Sequence, residues 1–443
     1  MSSQPNVLFI LSDQHNAKVL GHAGHPQVQT PHLDRMAREG TRFTNAVTAN
    51  PICTPSRTSF HSGQYCHNHG YYGLSGPNPG GLPSLYGHFR HHGYLSAAIG
   101  KIHCPDSWLE DDCDVFHETT GCSVGGTSQA YKDALGERHA LEDHGRMPEF
   151  GPQGQQSMEG RPSPLSFDES QEGWIAAEAI RTIDAAADAG KPFCIHASLP
   201  RPHQCTAPSQ EFWDLYQGMD LELPPNADLD LEAAGKAPHL IRTAERWRKG
   251  EWALIEPKTF EAARQRKLRG YLAAISQVDA AVGRMLSALE ERGIADNTIV
   301  VYSSDHGDYA TEFGIMEKAP GICHDAISRI PFLMWGAGIP AGAVRDALIQ
   351  SVDLANTLCA RAGLPLLETA DGPDASPLID HNQSIRKVAV TEFALSKSIR
   401  KGDWRLVYYP RAKFAAEHPN GFGELYNLIY DPYEQSNRWH DAD

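Results

Sequence analysis

The chain has 443 residues, enough to bury a large core, and its 55 acidic against 39 basic side chains give a formal charge of −16 at pH 7. A nucleic-acid binder normally carries a basic stripe, so this balance argues against one. Nine cysteines, an odd number with no C-x-x-C pair, fit reduced thiols better than a disulfide framework, and the groups Cys66, His67, His69 and His91, His92 lack zinc-finger spacing.

In chain order, Asn6 to Ser12 predicts a buried parallel strand, short, apolar and closed by Asp13 and Gln14. Its apolar core, Val7 to Leu11, has no basic flank and is too short to span a bilayer, so neither a signal peptide nor a membrane span is expected and the expected location is cytoplasmic. In Cys53-Thr54-Pro55-Ser56-Arg57, Pro55 sits just inside a helix start, and the run to Ser62 stops at Gly63. Cys53 is thereby placed at a helix N-terminus, where the dipole and Arg57 favour an anion or an ionised nucleophile. On the string alone, a buried cysteine before a capped helix is the competing reading. Gly93 to Ile99 predicts a core strand leading into Gly100-Lys101-Ile102-His103. About residues 105 to 165 the chain turns acidic and rich in glycine and proline, which predicts a long surface insertion.

Further along, Pro192 to Ala197 predicts a strand followed by Pro202-His203. Phe260 to Arg292 predicts a long helix, with Tyr271, Ile275, Val278, Val282, Met285 and Leu289 along one face. Thr298 to Ser303 predicts another buried strand, ending at Asp305-His306-Gly307-Asp308. A boundary is expected within Leu364 to Pro377, giving a catalytic domain over 1–365 and a subdomain over 366–443. In the latter, Val388 to Phe393, Trp404 to Tyr409 and Glu424 to Leu428 suggest short antiparallel strands. Alternating strands and helices predict an α/β fold, a large mostly parallel sheet sandwiched by helices, with a smaller C-terminal antiparallel sheet.

Asp13, Gln14, Asp305 and His306 should then meet at the carboxyl edge of the sheet, where ligands bind in open α/β folds. Either strand-end aspartate alone would more often be a cap or turn residue. Converging carboxylates repel unless a cation or proton lies between them, and a divalent metal answers that need. A thiolate phosphatase needs a longer spacer between cysteine and arginine than the three residues present here.

The string Cys53 to Arg57 matches C-x-[PA]-[SAC]-R and resembles the activation motif of type I sulfatases, in the alkaline-phosphatase-like superfamily. The segments Arg400 to Leu406, Glu424 to Leu428 and Asp431-Pro432 are similar to that family's C-terminal subdomain. The resemblance implies that a formylglycine-generating enzyme oxidises Cys53 to formylglycine. It implies a metal held by Asp13, Gln14, Asp305, His306 and the modified Cys53, with Arg57, Lys101, His103, His203 and Lys318 completing the catalytic set. Lys101 and Lys318 would bind sulfate, His203 would protonate the leaving oxygen, and His103 would move the proton that releases sulfate. Calcium suits the oxygen-rich ligands, and the imidazole admits manganese. The Asp-Gln and Asp-His pairs look more like choline sulfatases and phosphonate monoester hydrolases. The function implied is hydrolysis of a sulfate monoester of a sugar, phenol or small alcohol. Its rivals are a phosphonate monoester or phosphodiester hydrolase on the same scaffold, and a non-enzymatic binding homologue with an unconverted Cys53. A homo-oligomer is left open.

Overall fold

The computed structural model describes residues 4–74, 80–105, 108–119, 129–138, 160–204, 206–251 and 259–441. The strands are β1 (Asn6–Asp13), β2 (Thr41–Phe43), β3 (Ala46–Val47), β4 (Leu95–Gly100), β5 (Val115–Glu118), β6 (Phe193–Pro202) and β7 (Thr298–Ser304). They continue with β8 (Phe332–Gly336), β9 (Ala343–Arg345), β10 (Ile349–Gln350), β11 (Ala389–Glu392), β12 (Lys397–Lys401), β13 (Trp404–Tyr409) and β14 (Phe422–Asn427). Eight of them form one sheet in the order β5-β4-β6-β1-β7-β8-β2-β9. From β5 to β7 every pairing is parallel, while β8 runs against both β7 and β2.

β1 lies between β6 and β7 and is buried along its whole length. Alternation sends Val7, Phe9 and Leu11 to one face, with Phe60 and Leu354, and Leu8 and Ile10 to the other, with Ile175 and Val282. Both faces must be covered by helices for such a strand to exist, and they are. Cys53–Ser62, Leu85–His91 and Asp353–Arg361 cover the first, and Pro31–Glu39, Gln171–Asp188 and Phe260–Glu291 the second. Tyr271, Ile275, Val278, Val282, Met285 and Leu289 are all fully buried, as the periodicity of that last helix predicts.

Four strands deliver chemistry at one edge: β1 ends at Asp13, β4 at Gly100, β6 at Pro202 and β7 at Ser304. Gly100 is required there. Its φ is +108°, and a Cβ would fall 2.0 Å from the Ser198 carbonyl oxygen of β6, so any side chain would push Lys101 off its path.

Inside the stretch read as an insertion, β5 pairs with β4 at the sheet edge, and Trp108, Leu109, Cys113 and Tyr131 are buried. Residues 106–107, 120–128 and 139–159 of that stretch lie outside the described residues. Past the expected boundary, Leu367, Ala375, Leu378 and Ile379 belong to the core beneath the first face, and the separate antiparallel sheet, β11-β12-β13-β14, begins at Ala389. β12 escapes the sequence pattern because its inward residues are Ser398 and Arg400, while Lys397, Ile399 and Lys401 face out. This sheet docks on the main domain through Val407, Tyr409 and Phe422, which pack in one buried cluster with Tyr309, Ile322 and Ile327, and through buried polar groups. Arg405 donates to Asp325 Oδ1 at 2.9 Å, and Glu424 accepts from Tyr409 at 2.7 Å and pairs with His324 at 2.8 Å.

Candidate active site

Cys53 opens the helix Cys53–Ser62, which ends at Gly63 in the left-handed conformation (φ 72°), and every residue of the helix is buried. Asp13 and Asp305, closing neighbouring strands, face each other beside it. Arg57, one helical turn after Cys53 and fully buried, joins them: its Nη2 donates to Asp13 Oδ2 at 3.0 Å and its Nε to Asp305 Oδ2 at 2.9 Å. Its Nη1 donates to the Ser198 hydroxyl at 2.7 Å and to the Lys101 carbonyl, and that hydroxyl donates to the same carbonyl at 2.6 Å.

With the Oδ2 atoms held by Arg57, Asp13 Oδ1 and Asp305 Oδ1 lie 3.9 and 3.8 Å from His306 Nε2. His306 Nδ1 donates to the Gly307 carbonyl at 2.8 Å, which turns the lone pair of Nε2 in the neutral ring toward the cluster, 3.2 Å from Cys53 Sγ. Potential ligand atoms of Asp13, Cys53, Asp305 and His306 all lie within 4.8 Å of one another and are buried. This set fits a divalent cation. Burial and the neighbouring Asp13 charge raise Asp305, while burial and Cys53 act against Asp13 and are outweighed by Lys101, His203 and Arg57, so that Asp13 is lowered. Burial opposes a charged His306, yet Asp305 and Cys53 push it up to about 9. The pocket calls for one more positive charge, which a metal supplies.

Gln14 stands at the rim of this cluster. Its amide group donates to Gln204 at 3.0 Å and to Asp308, and its Oε1 accepts from Lys318 Nζ at 2.9 Å. Lys318 Nζ also lies 3.8 Å from Cys53 Sγ and donates to His203 Nε2 at 2.8 Å. His203 Nδ1 donates to the Gln204 carbonyl at 2.5 Å. Burial, Lys101 and Lys318 hold His203 down to about 4, so in this arrangement it is neutral near pH 7. Lys101 Nζ pairs with Asp13 Oδ2 at 2.6 Å. His103 hydrogen-bonds Cys53, and its Nδ1 is buried without a partner. Burial would raise the Cys53 thiol, but Lys318, Lys101, His306 and the His103 hydrogen bond hold it well below its usual range.

The structure thus gathers every residue singled out in the sequence around one sulfur atom. Sequence reasoning missed the supports. Ser198 ties Lys101 to Arg57, Glu118 accepts from the His103 backbone N–H at 2.9 Å, and the Tyr271 hydroxyl donates to the Gln14 carbonyl at 2.7 Å. Each comes from an element remote in sequence, and no local pattern marks it.

Removing Arg57 leaves two buried carboxylates without their shared partner. Arg57→Ala is expected to lose about 3–5 kcal/mol of stability, measured by urea unfolding, whereas a loss under about 1 kcal/mol would mean that the clamp contributes little.

Comparison with known proteins agrees with this geometry. The sulfatase family profile matches residues 5–364. An ulvan-active sulfatase of Formosa agariphila is 28% identical over 449 residues, covering 98% of this chain and 77% of that protein. Among solved structures, phosphonate monoester hydrolase SpPMH from Silicibacter pomeroyi superposes with a TM-score of 0.81 at 22% identity, covering 99% of this chain and 92% of that one. A protein solved with its substrate D-glucosamine-2-N,6-O-disulfate gives 0.78 at 22% identity, covering 99% and 94%. A buried cysteine at a helix N-terminus, facing paired strand-end aspartates, and a family match that runs from β1 past the end of β10 lead to one conclusion: the chain belongs to the sulfatase family.

Proposed function

We propose that this protein is a sulfuric ester hydrolase that cleaves sulfate monoesters of sugars or other small alcohols, with Cys53 converted to formylglycine by a formylglycine-generating enzyme. The observation that carries this reading is the company of one buried atom: His103, His203, His306 and Lys318 all reach Cys53 Sγ. Packing alone needs none of them. Sγ here stands in for a hydrate oxygen that the converted residue carries in the mature protein. That residue supplies two hydroxyls on one carbon, one to take the sulfuryl group and the other to release it, a route closed to serine or cysteine.

Asp13, Asp305, His306 and Oε1 of Gln14 would hold the divalent cation, whose charge offsets the carboxylates and polarises the ester. Oxygen donors outnumber the single imidazole, which favours calcium over manganese. Lys101 and Lys318 hold the non-bridging oxygens of the ester. An anionic ester seated between Lys318 and His203 replaces the crowding of cations with attraction. This raises His203, so that Nε2 can carry a proton to the departing alcohol. His103, held by Glu118 and with Nδ1 unpartnered, is placed to accept the proton whose loss drives release.

Cys53→Ala and Cys53→Ser should abolish turnover of 4-nitrophenyl sulfate while leaving the melting temperature nearly unchanged. The active protein should show the ~18 Da loss of the thiol-to-aldehyde conversion at this residue. Wild-type-like hydrolysis by the alanine variant would refute the mechanism, and faster turnover of an aryl phosphonate than of the matching sulfate would favour the phosphonate reading. An active protein whose Cys53 remains a thiol would also overturn it.

Elemental analysis of the purified, active protein should find about one calcium per chain, and chelation should remove activity that calcium then restores. Activity that survives exhaustive chelation would dismiss the metal, and recovery with manganese alone would dismiss calcium.

The two histidines separate by leaving group. His203→Ala should slow esters of high-pKa alcohols at least about a hundredfold more than 4-nitrophenyl sulfate, which departs unprotonated. His103→Ala should slow all substrates to a common rate and leave a sulfated adduct at residue 53, seen by mass after a burst of product. Equal losses on both leaving groups for the first variant, or no adduct in the second, would show the roles misassigned.

A further inference from the structure

The C-terminal sheet and its flanks are basic for a chain with a net charge of −16, and although Arg400 and Arg405 turn inward, Lys397 and Lys401 stand on the outer face. Between Ser384 and Lys413 stand eight lysines and arginines against two acidic residues, Glu392 and Asp403. β12 and β13 pair Lys397 with Tyr408, Ile399 with Leu406 and Lys401 with Trp404. Directly paired residues share a face, so these three rungs project together, away from the face that holds Arg405 and Tyr409 against the main domain. Ile399, Trp404 and Tyr408 are 43%, 39% and 40% exposed.

The C-terminal tail adds to this face. Gly423 of β14 pairs with Tyr408, and a Cβ on it would meet the Trp439 ring at 2.7 Å, so the ring packs against the strand beside Tyr408. The Arg438 guanidinium lies 5.7 Å from the centre of the Trp404 ring. Three aromatic rings and three cations therefore share one surface. Lys401 makes no ion pair among the described residues, while Lys397 pairs with Glu392 at 2.9 Å and Arg438 with Asp441 at 2.6 Å. Trp404 and Tyr408, four residues apart on one strand, are about 13 Å apart along it, a separation of a few sugar units.

Both ends of the face lead somewhere. At one end Glu392 also binds His67, at 2.7 Å, on the short helix that follows the Cys53 helix. The next residue, Phe393, packs its ring on Gly321, in the turn that carries Lys318. At the other end lies a cleft of about 1110 Å³ whose lining carries Lys387, Lys401 and Trp404 beside Asp346 and Asp403, with Arg329 and Arg400 paired to Asp325. A protein partner would select a face whose centre is poor in lysine, which this one is not. Flat rings between cations suit a chain of sugars carrying sulfate groups: the rings stack on the apolar sugar faces and the cations meet the anions.

We propose that this face is a binding track for a sulfated polysaccharide, holding the chain beyond the unit whose ester enters the Cys53 site. The inference rests on the sulfate-ester reading for its purpose but not for its test. Tethering the polymer here keeps successive esters at high local concentration near the pocket.

Affinity electrophoresis of the full-length protein in gels containing dextran sulfate, neutral dextran or polyglutamate tests it directly. Dextran sulfate should retard the protein, with neutral dextran and polyglutamate much weaker. Trp404→Ala with Tyr408→Ala, and separately Lys401→Glu, should each weaken retardation about tenfold, while kcat/KM for 4-nitrophenyl sulfate stays within about twofold of wild type. The double Phe variant, Trp404→Phe with Tyr408→Phe, keeps the rings and should keep the binding. Equal retardation by polyglutamate, or retention of full binding by the double alanine variant, would overturn the track, as would a double Phe variant as weak as the alanine pair. A wild-type protein that binds dextran sulfate in this pattern but cleaves no aryl sulfate would instead strike the sulfatase reading and leave the track standing.

Discussion

Two carboxylates brought together at the ends of adjacent parallel strands are the constraint on which the site depends. β1 and β7 are paired in register, so once both are buried in the middle of the sheet, Asp13 and Asp305 cannot avoid each other. Arg57 is the protein's own answer: one guanidinium takes an oxygen from each carboxylate and leaves their other oxygens toward Cys53 and His306. The same group holds the Lys101 carbonyl and the Ser198 hydroxyl, so the pairing that neutralises the acids also locates β4 and β6 relative to them. A buried ion pair of this kind adds little net stability over an apolar packing of the same volume, and breaking it is costly. Its value here is geometric: it fixes where an additional cation belongs.

Much of this could be read in the sequence, because buried parallel strands announce themselves as short apolar runs and their ends as the first acidic residue after each. Asn6 to Ser12 and Thr298 to Ser303 became β1 and β7 almost residue for residue, and the proline and glycine around Cys53 marked a helix that runs from Cys53 to Ser62 and is capped by Gly63. Where the pattern failed, polar burial was the reason. β12 turns Ser398 and Arg400 inward toward Asp325, so its alternation contradicts the usual apolar-in rule. β5, with all four residues only half-buried, has no apolar signature, and its role as an edge strand follows from pairing with β4. The Glu424, His324 and Lys236 network that fastens the C-terminal sheet spans nearly 190 positions of sequence, beyond the reach of any local pattern.

That polar seam explains why the small sheet is oriented at all. Beside the buried Val407, Tyr409 and Phe422, its inner face carries Arg400, Arg405 and Glu424, each of which needs a specific partner when buried, where apolar contacts alone would tolerate sliding. Asp325 alone pairs with Arg329, Arg400 and Arg405. Since Asp325 follows the Lys318 turn by only a few residues, the docking that orients the sheet also steadies the lysine that reaches Cys53.

Backbone strain at the site points to the same dependence on the whole fold. Gln14 and His103, the residues just past β1 and β4 that approach Cys53 and Lys318, have φ of 69° and 49°, a region that costs a non-glycine residue on the order of 1–3 kcal/mol. Neither is held by its own neighbours. The Gln14 N–H donates to Asp305 at 3.0 Å and its carbonyl accepts from Tyr271, and the His103 N–H donates to Glu118 of β5. Strain stored at these two positions is thus sustained by the end of β7, by the long helix on the opposite face and by the sheet's edge strand. The short motifs that identify the chemistry cannot perform it alone: a peptide carrying Gly100 to His103 would relax, and only a sheet that brings β5 and β7 to either side of β4, β6 and β1 holds His103 and Gln14 against that relaxation.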